Sequence, residues 1–210
     1  MTVALHLWDR LTRIYRDDNA AQIVEFAVSL PLLLVFVVGI FDFSGAFTLK
    51  QKLTNAVRDA ARTAAADPAN DLANTSGVPV SVADAFQIVD NYLNANHISD
   101  CGLGTSASPT TSVPPIWTYS ASGSSSGCPG TGIAIVINRA YYFPSNSIVA
   151  ASTNPPCSPQ IPNGHTAVIA TCVNITYAYS WRFDRVITLL GASASLPSTI
   201  TATAVAMNEN

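Results

Sequence analysis

The sequence predicts an α+β chain. A long N-terminal helix, transmembrane in its first half and amphipathic in its second, packs on a small antiparallel β-sheet of three or four strands with a second short helix. Three observations predict it. A run of nineteen residues, Ile23–Phe41, carries one charge, Glu25. Apolar residues then recur at steps of three and four between Ala46 and Ala66. From Gly132 onward, stretches alternate apolar and polar residues, the period of half-buried strands.

The apolar run sets the frame. At 1.5 Å per residue it makes a helix about 28 Å long, close to the roughly 30 Å of a bilayer's hydrocarbon core. Fourteen of its positions are Leu, Ile, Val or Phe. Each favours insertion by roughly 0.3–0.6 kcal/mol, against about 2.5–3.5 kcal/mol for a carboxylate at mid-membrane. Insertion wins. Glu25 is then a functional candidate, because a plain anchor has no use for an acid there. Pro31 removes one backbone hydrogen bond and predicts a kink, which membrane helices tolerate.

Beyond the run, Leu49, Leu53, Ala56, Ala60 and Ala64 form an apolar stripe, with Val57 and Ala61 beside it. Lys52, Asn55, Asp59 and Arg62 line the opposite face, and Asp67-Pro68 supplies the stop. The predicted organisation is a cytoplasmic leader over 1–20, a long helix over 21–66 (transmembrane 23–41, amphipathic 46–66), a linker over 67–80 and an extracytoplasmic α+β domain over 81–210.

The segment resembles the TadE-like family, pilin-like proteins of bacterial tight-adherence (Tad, or Flp) pilus systems. Val24-Glu25-Phe26-Ala27, Pro31 six residues after the glutamate, and the close of the run at Gly39-Ile40 carry the resemblance. So does Leu53-Thr54-Asn55-Ala56-Val57-Arg58-Asp59-Ala60-Ala61-Arg62, with a weaker echo in Thr199–Asn208. The resemblance implies a pilin-like architecture and a minor pilin, pseudopilin or assembly component. Its partners would be membrane lipid, other pilin-like subunits, the pilus assembly machinery and a prepilin-type peptidase. That peptidase leaves the glutamate as the fifth mature residue, which puts the cut between Ala20 and Ala21; Ala20 stands where the family usually has Gly. The new α-amino group has an ordinary pKa near 7.7–8.0 and is the cation that Glu25 would meet during assembly.

Composition narrows the alternatives. Two hundred and ten residues suffice for one membrane segment and one domain with a real core. Net charge is −3, and the chain has no basic tract, so nucleic acid is not an expected partner. Lys and Arg residues tie across the membrane segment: Arg10, Arg13 and Arg16 before it, Lys50, Lys52 and Arg58 after it. Cysteines break the tie. Cys101, Cys128, Cys157 and Cys172 all follow the segment, an even number among Pro, Ser and Gly, as an oxidising compartment expects. The expected location is the bacterial inner (cytoplasmic) membrane, single-pass, with the C-terminal domain extracytoplasmic. Four cysteines permit three pairings; Cys101–Cys128 and Cys157–Cys172 are favoured because each brackets a loop rich in Pro, Gly or Ser. Ser44-Gly45-Ala46 offers a secretory cleavage site, but the run before it is too long, contains an acid and continues into a patterned helix.

Further along, Ser81-Val82-Ala83-Asp84 reads as a capping box opening a short helix with Val82, Ala85, Phe86, Val89 and Leu93 on its apolar face. Cys101–Gly130 reads as a long loop with one short extended piece at Ile116–Tyr119. Its Gly123-Ser124-Ser125-Ser126-Gly127 matches the G-x-S-x-G elbow of hydrolases, without the flanking strand and helix that the elbow needs.

Strands are predicted over Gly132–Phe143, Ala167–Phe183 and Thr199–Met207. In the first, Ile133, Ile135, Ile137, Tyr141 and Phe143 share a face interrupted by Arg139; in the second, Val173 to Phe183 do. Asp184–Leu190, closed by Gly191, reads as a helical turn or two. His97 has no ligand-spaced partner, so no metal, cofactor or catalytic constellation is expected. The expected chemistry is assembly, not turnover. The alternative is a permanently anchored exported domain that binds a ligand or partner and takes no part in a pilus.

Overall fold

The structure is a computed structural model that describes residues 18–68, 70, 72, 77–104, 108–122, 128–144, 157, 167–189 and 196–209. The chain is α+β. Helix α1 spans Asp18–Ala66, 49 residues that run through Pro31. Helix α2 spans Val80–Ala95. Strands β1 (Thr111–Val113), β2 (Ile116–Ala121), β3 (Ile133–Pro144) and β4 (Ala167–Ala178) follow, then helix α3 (Arg182–Leu189) and strand β5 (Thr199–Met207). The chain divides into two compact units, Gly45–Ser180 with Leu196–Asn210, and Met1–Ser44 with Trp181–Ser195.

The larger unit is built on a five-stranded antiparallel sheet in the order β1-β2-β3-β4-β5. Each strand therefore pairs with its sequence neighbour. Register places Ile133, Ile135 and Ile137 of β3 opposite Tyr177, Ile175 and Val173 of β4. On the outer neighbours, Trp117 and Tyr119 meet Ile137 and Ile135, while Ala202 and Ile200 meet Ile175 and Tyr177. These residues lie on one face of the sheet, and nearly all are fully buried. Leu53, Ala56, Val57, Ala60, Ala61 and Ala64 of the predicted stripe on α1 are buried as well, with Ala65 added and Leu49 half-buried. Hydrogen bonds fix α1 to the sheet: Lys50 Nζ donates to the Thr201 carbonyl, and Glu209 N–H donates to the Ala65 carbonyl at 3.2 Å. Val82, Ala85, Phe86, Val89 and Leu93 of α2 complete this core, with the Phe86 ring stacked on Tyr119 at 4.2 Å. Burial of each such Val, Leu or Phe side chain is worth about 1.5–3 kcal/mol relative to exposure.

The opposite face holds a smaller cluster of Tyr141, Cys157, Ala170 and Cys172, with Val136 against it. A β-bulge creates it. Asn138 pairs with Cys172 and Tyr141 with Ala170, so β3 spends one residue more than β4 over that interval. The extra residue reverses the alternation and moves Tyr141 to the face opposite Ile133, Ile135 and Ile137, contrary to the sequence expectation. Asn138 holds the bulge: its amide accepts from Ala140 N–H at 2.9 Å and donates to the Cys157 carbonyl at 2.8 Å. Disulfides join Cys101 to Cys128 and Cys157 to Cys172, the two pairings that loop composition favours.

Three further expectations change. The capping box does not form, because α2 starts one residue before Ser81. Pro79 is its N-cap, and the Pro79 carbonyl accepts from Val82 N–H and Ala83 N–H at 3.1 and 3.0 Å. The loop after Cys101 contains a hairpin, β1–β2, turning at Pro114-Pro115, so the sheet has one strand more than expected. The second predicted strand, Ala167–Phe183, stops at Ala178, and helix α3 begins at Arg182. The Tyr179 N–H donates to the Ser198 carbonyl at 2.8 Å, closing the excursion between β4 and β5. The serine-rich Gly123–Gly127 motif, the Phe143 side chain and Gly191 lie outside the described residues.

The smaller unit joins the first part of α1 to α3. Gly39 allows the approach: a Cβ there would stand 3.2 Å from Cε2 of Phe183. Phe43 packs on Trp181 at 5.1 Å and on Phe183 at 6.3 Å between ring centroids. Asp42 is buried, and its Oδ2 accepts from Phe183 N–H at 2.9 Å, taking one of the unsatisfied donors at the α3 N-terminus.

Candidate functional site

The first candidate is the apolar half of α1. A helix that buries its side chains in a folded core cannot also show them to lipid, so exposure decides. Phe26, Leu33 and Phe36 are 65%, 63% and 63% exposed, and only 6% of the apolar window is buried. Among the described residues this is the one helix long and apolar enough to cross a membrane. Monomeric soluble proteins rarely expose a continuous apolar surface of this size, and such surfaces mark membrane or protein contact sites.

Glu25 stands exposed near the head of this surface. Ala20 and Ala21 are both helical, so the peptide bond between them lies in the first turn of α1, and Ala21 is exposed. Pro31 sits inside the helix, two residues after Ser29, whose hydroxyl donates to the Phe26 carbonyl at 3.2 Å. Glu25, Pro31 and the Ala20–Ala21 bond share one helical segment. The four cysteines are remote in sequence from it and belong to the larger unit.

The structure gives partners to groups to which the sequence reading assigned no role. Arg139 is fully buried, at the far end of α1. Its Nη1 donates to the Ala64 carbonyl and, at 2.8 Å, to Thr171 Oγ1; its Nη2 donates to the Asp67 carbonyl at 3.0 Å. Carbonyls at a helix C-terminus have no intrahelical partner, and the helix dipole favours a cation there. Its signal was in the sequence, since Arg139 has the same parity as Ile133, Ile135 and Ile137.

Asp90, on the buried face of α2, accepts at Oδ2 from the Asn94 side-chain amide at 3.2 Å and lies within the field of the Asp100 carboxylate. Two neighbouring carboxyls disfavour each other's charge, and their surroundings separate them. Burial, then the Asp100 charge, pushes the Asp90 carboxyl above its ordinary 3.8. Asp100 is held below 3.8, chiefly by the Gly102 N–H at 3.0 Å and also by the Gly104 N–H at 3.1 Å. Burial and the Asp100 charge also raise the Tyr177 phenol, and burial pushes Tyr119 up to about 12.

An exposed apolar helix of membrane-spanning length, continuing into a disulfide-bonded α+β domain, is consistent with single-pass membrane anchoring. Residues 20–62 match the family model described as TadE-like protein, which bears out the resemblance carried by Val24–Ala27, Pro31 and Leu53–Arg62. A TadE-like segment implies a role related to tight-adherence pili and an association with other pilus components. The match does not extend to the sheet or to Thr199–Asn208. No curated protein and no solved structure matches the chain significantly.

Proposed function

We propose that this chain is a minor pilin, pseudopilin or assembly component of a tight-adherence (Flp-type) pilus and acts by helix–helix assembly rather than by catalysis. Residues 23–41 anchor it in the bacterial inner membrane with residues 81–210 outside. A prepilin-type peptidase cuts between Ala20 and Ala21. The Glu25 carboxylate then pairs with the free N-terminus of a neighbouring subunit, which offsets the cost of holding an acid in lipid.

The observation that supports this most is the exposed apolar helix with a single carboxylate near its head, inside the segment that matches the TadE-like model. N-terminal sequencing of the mature protein is the first test. A start at Ala21 supports processing; a start at Met1 leaves a permanently anchored exported domain; a start at Phe47 marks a secretory protein. Glu25→Leu is the second test. Unchanged maturation and unchanged association with other pilin-like subunits would remove the role assigned to the carboxylate.

A further inference from the structure

Helix α3 is short, and its partners place it. Phe183 rests over Gly39, Trp181 rests on Phe43, and the buried Asp42 carboxylate accepts the Phe183 N–H. These contacts fall between two residues before and two residues after Phe41, where the apolar run ends. On the reading that 23–41 spans the bilayer, on which this inference rests, residues 39–43 lie at the level where hydrocarbon gives way to headgroups. Contact with them holds α3 at that level.

The exposed residues of α3 suit that depth. Arg182 and Arg185 are exposed and three positions apart, so they project from neighbouring points on one side of the helix. Phe41 and Phe43 of α1 remain 74% and 51% exposed, and Trp181, next to Arg182 in sequence, is half-buried. Aromatic rings next to arginines are the composition that headgroup regions take up, and a guanidinium matches a phosphate with two parallel hydrogen bonds. Of the acids in this part of the chain, Asp42 is engaged at the α3 N-terminus; Asp184 is carried by α3 itself.

We propose that α3 is an interfacial helix lying on the outer face of the bilayer that α1 crosses, with Arg182 and Arg185 bound to the phosphates of anionic phospholipids. The membrane attachment is then two-part: a spanning rod and a surface foot, joined through Gly39, Asp42 and Phe43.

The test uses the full chain in vesicles of phosphatidylcholine, alone or mixed with phosphatidylglycerol. All described cysteines are disulfide-bonded, so a new thiol at Thr188→Cys or Leu33→Cys takes a nitroxide label by itself. Relative accessibility to oxygen and to a water-soluble nickel chelate gives label depth. The expected result is a label at 33 in hydrocarbon and a label at 188 at headgroup depth in the phosphatidylglycerol mixture. There, Arg182→Gln with Arg185→Gln lowers the headgroup-bound population by about fivefold per arginine. Arg182→Lys with Arg185→Lys keeps most of it, which separates lost charge from lost folding. A label at 188 in bulk water while the label at 33 stays in hydrocarbon overturns the proposal and leaves the anchor standing. Headgroup depth at 188 that ignores both phosphatidylglycerol and the arginines overturns the anionic contact. A label at 33 in water overturns the spanning reading and this inference with it.

Discussion

The guanidinium of Arg139, an interior residue of β3, donates to the carbonyl of Ala64 in the last turn of α1. One buried cation thus ties the end of the long helix to a central strand. Its other donors reach Thr171 and Asp67, so its removal orphans several acceptors in the interior. Hydrogen bonds to charged groups are worth about 1.5–3 kcal/mol each, and they are not additive. Arg139→Met is expected to destabilise the larger unit by about 3 kcal/mol, read from urea unfolding of the full chain in detergent by the fluorescence of buried Trp117. Arg139→Lys keeps the charge but loses the fork, and should recover no more than about half.

A second prediction concerns pH. Asp90 has a raised carboxyl pKa in the fold, so the folded chain binds its proton more readily than the unfolded chain. Its contribution to stability is therefore fully present below the unfolded value of 3.8 and is lost as pH rises through the higher folded value. Asp100 is lowered and works in the opposite sense, stabilising above 3.8 and losing that effect as pH falls through its folded value. Asp90→Asn removes the charge that burial and Asp100 both disfavour. The variant should be more stable than the parent at neutral pH, and the gap should close as pH falls toward 4. Urea midpoints across that range decide it; a constant gap means that Asp90 does not titrate there.

The disulfides should differ in accessibility. Cys157 and Cys172 are 4% and 1% exposed, whereas Cys128 is only half-buried. Under mild reductant, Cys101 and Cys128 are expected to be alkylated first, as followed by mass spectrometry. Removal of either bridge should cost about 3 kcal/mol or slightly more, the chain-entropy value for loops of this size. Simultaneous alkylation of all four thiols would contradict the difference in burial.

Gly39 gives a fourth prediction. A larger side chain there meets Phe183 directly, since even a Cβ stands 3.2 Å from its ring. Gly39→Leu should displace Phe183 from α1 at a cost of about 1–3 kcal/mol. Hydrogen exchange of backbone amides over 182–189 should then accelerate, while the amides of β3 and β4 stay protected. Unchanged protection in α3 would show that Phe183 is not held through Gly39.

The helices were legible where one period ran without competition. The stripe from Leu53 to Ala64 has a single face to bury, and its residues are buried as expected. Strand β5 begins and ends where its Thr/Ala/Val composition does. The β1–β2 hairpin was not legible, because Thr111–Val113 is held as a strand by pairing with β2 rather than by its own preference. The bulge was hidden for a related reason: an extra residue in β3 shows only against the count in β4. Helix α3 was partly masked, since the alternating aromatics from Tyr177 to Phe183 mimic a strand across the point where the ladder has already stopped. At the candidate site, a lone acid in an apolar run declares itself in sequence. Asp90 did so less plainly, though it stands four residues after Phe86 and thus on the face that α2 buries.

The bond from Tyr179 N–H to the Ser198 carbonyl shuts the detour between β4 and β5 at its neck. A detour shut at its neck can be lengthened, shortened or exchanged while the ladder on either side keeps its register. The sheet can accordingly host a different insert at this one position, so what the segment touches is free to vary independently of the body that carries it.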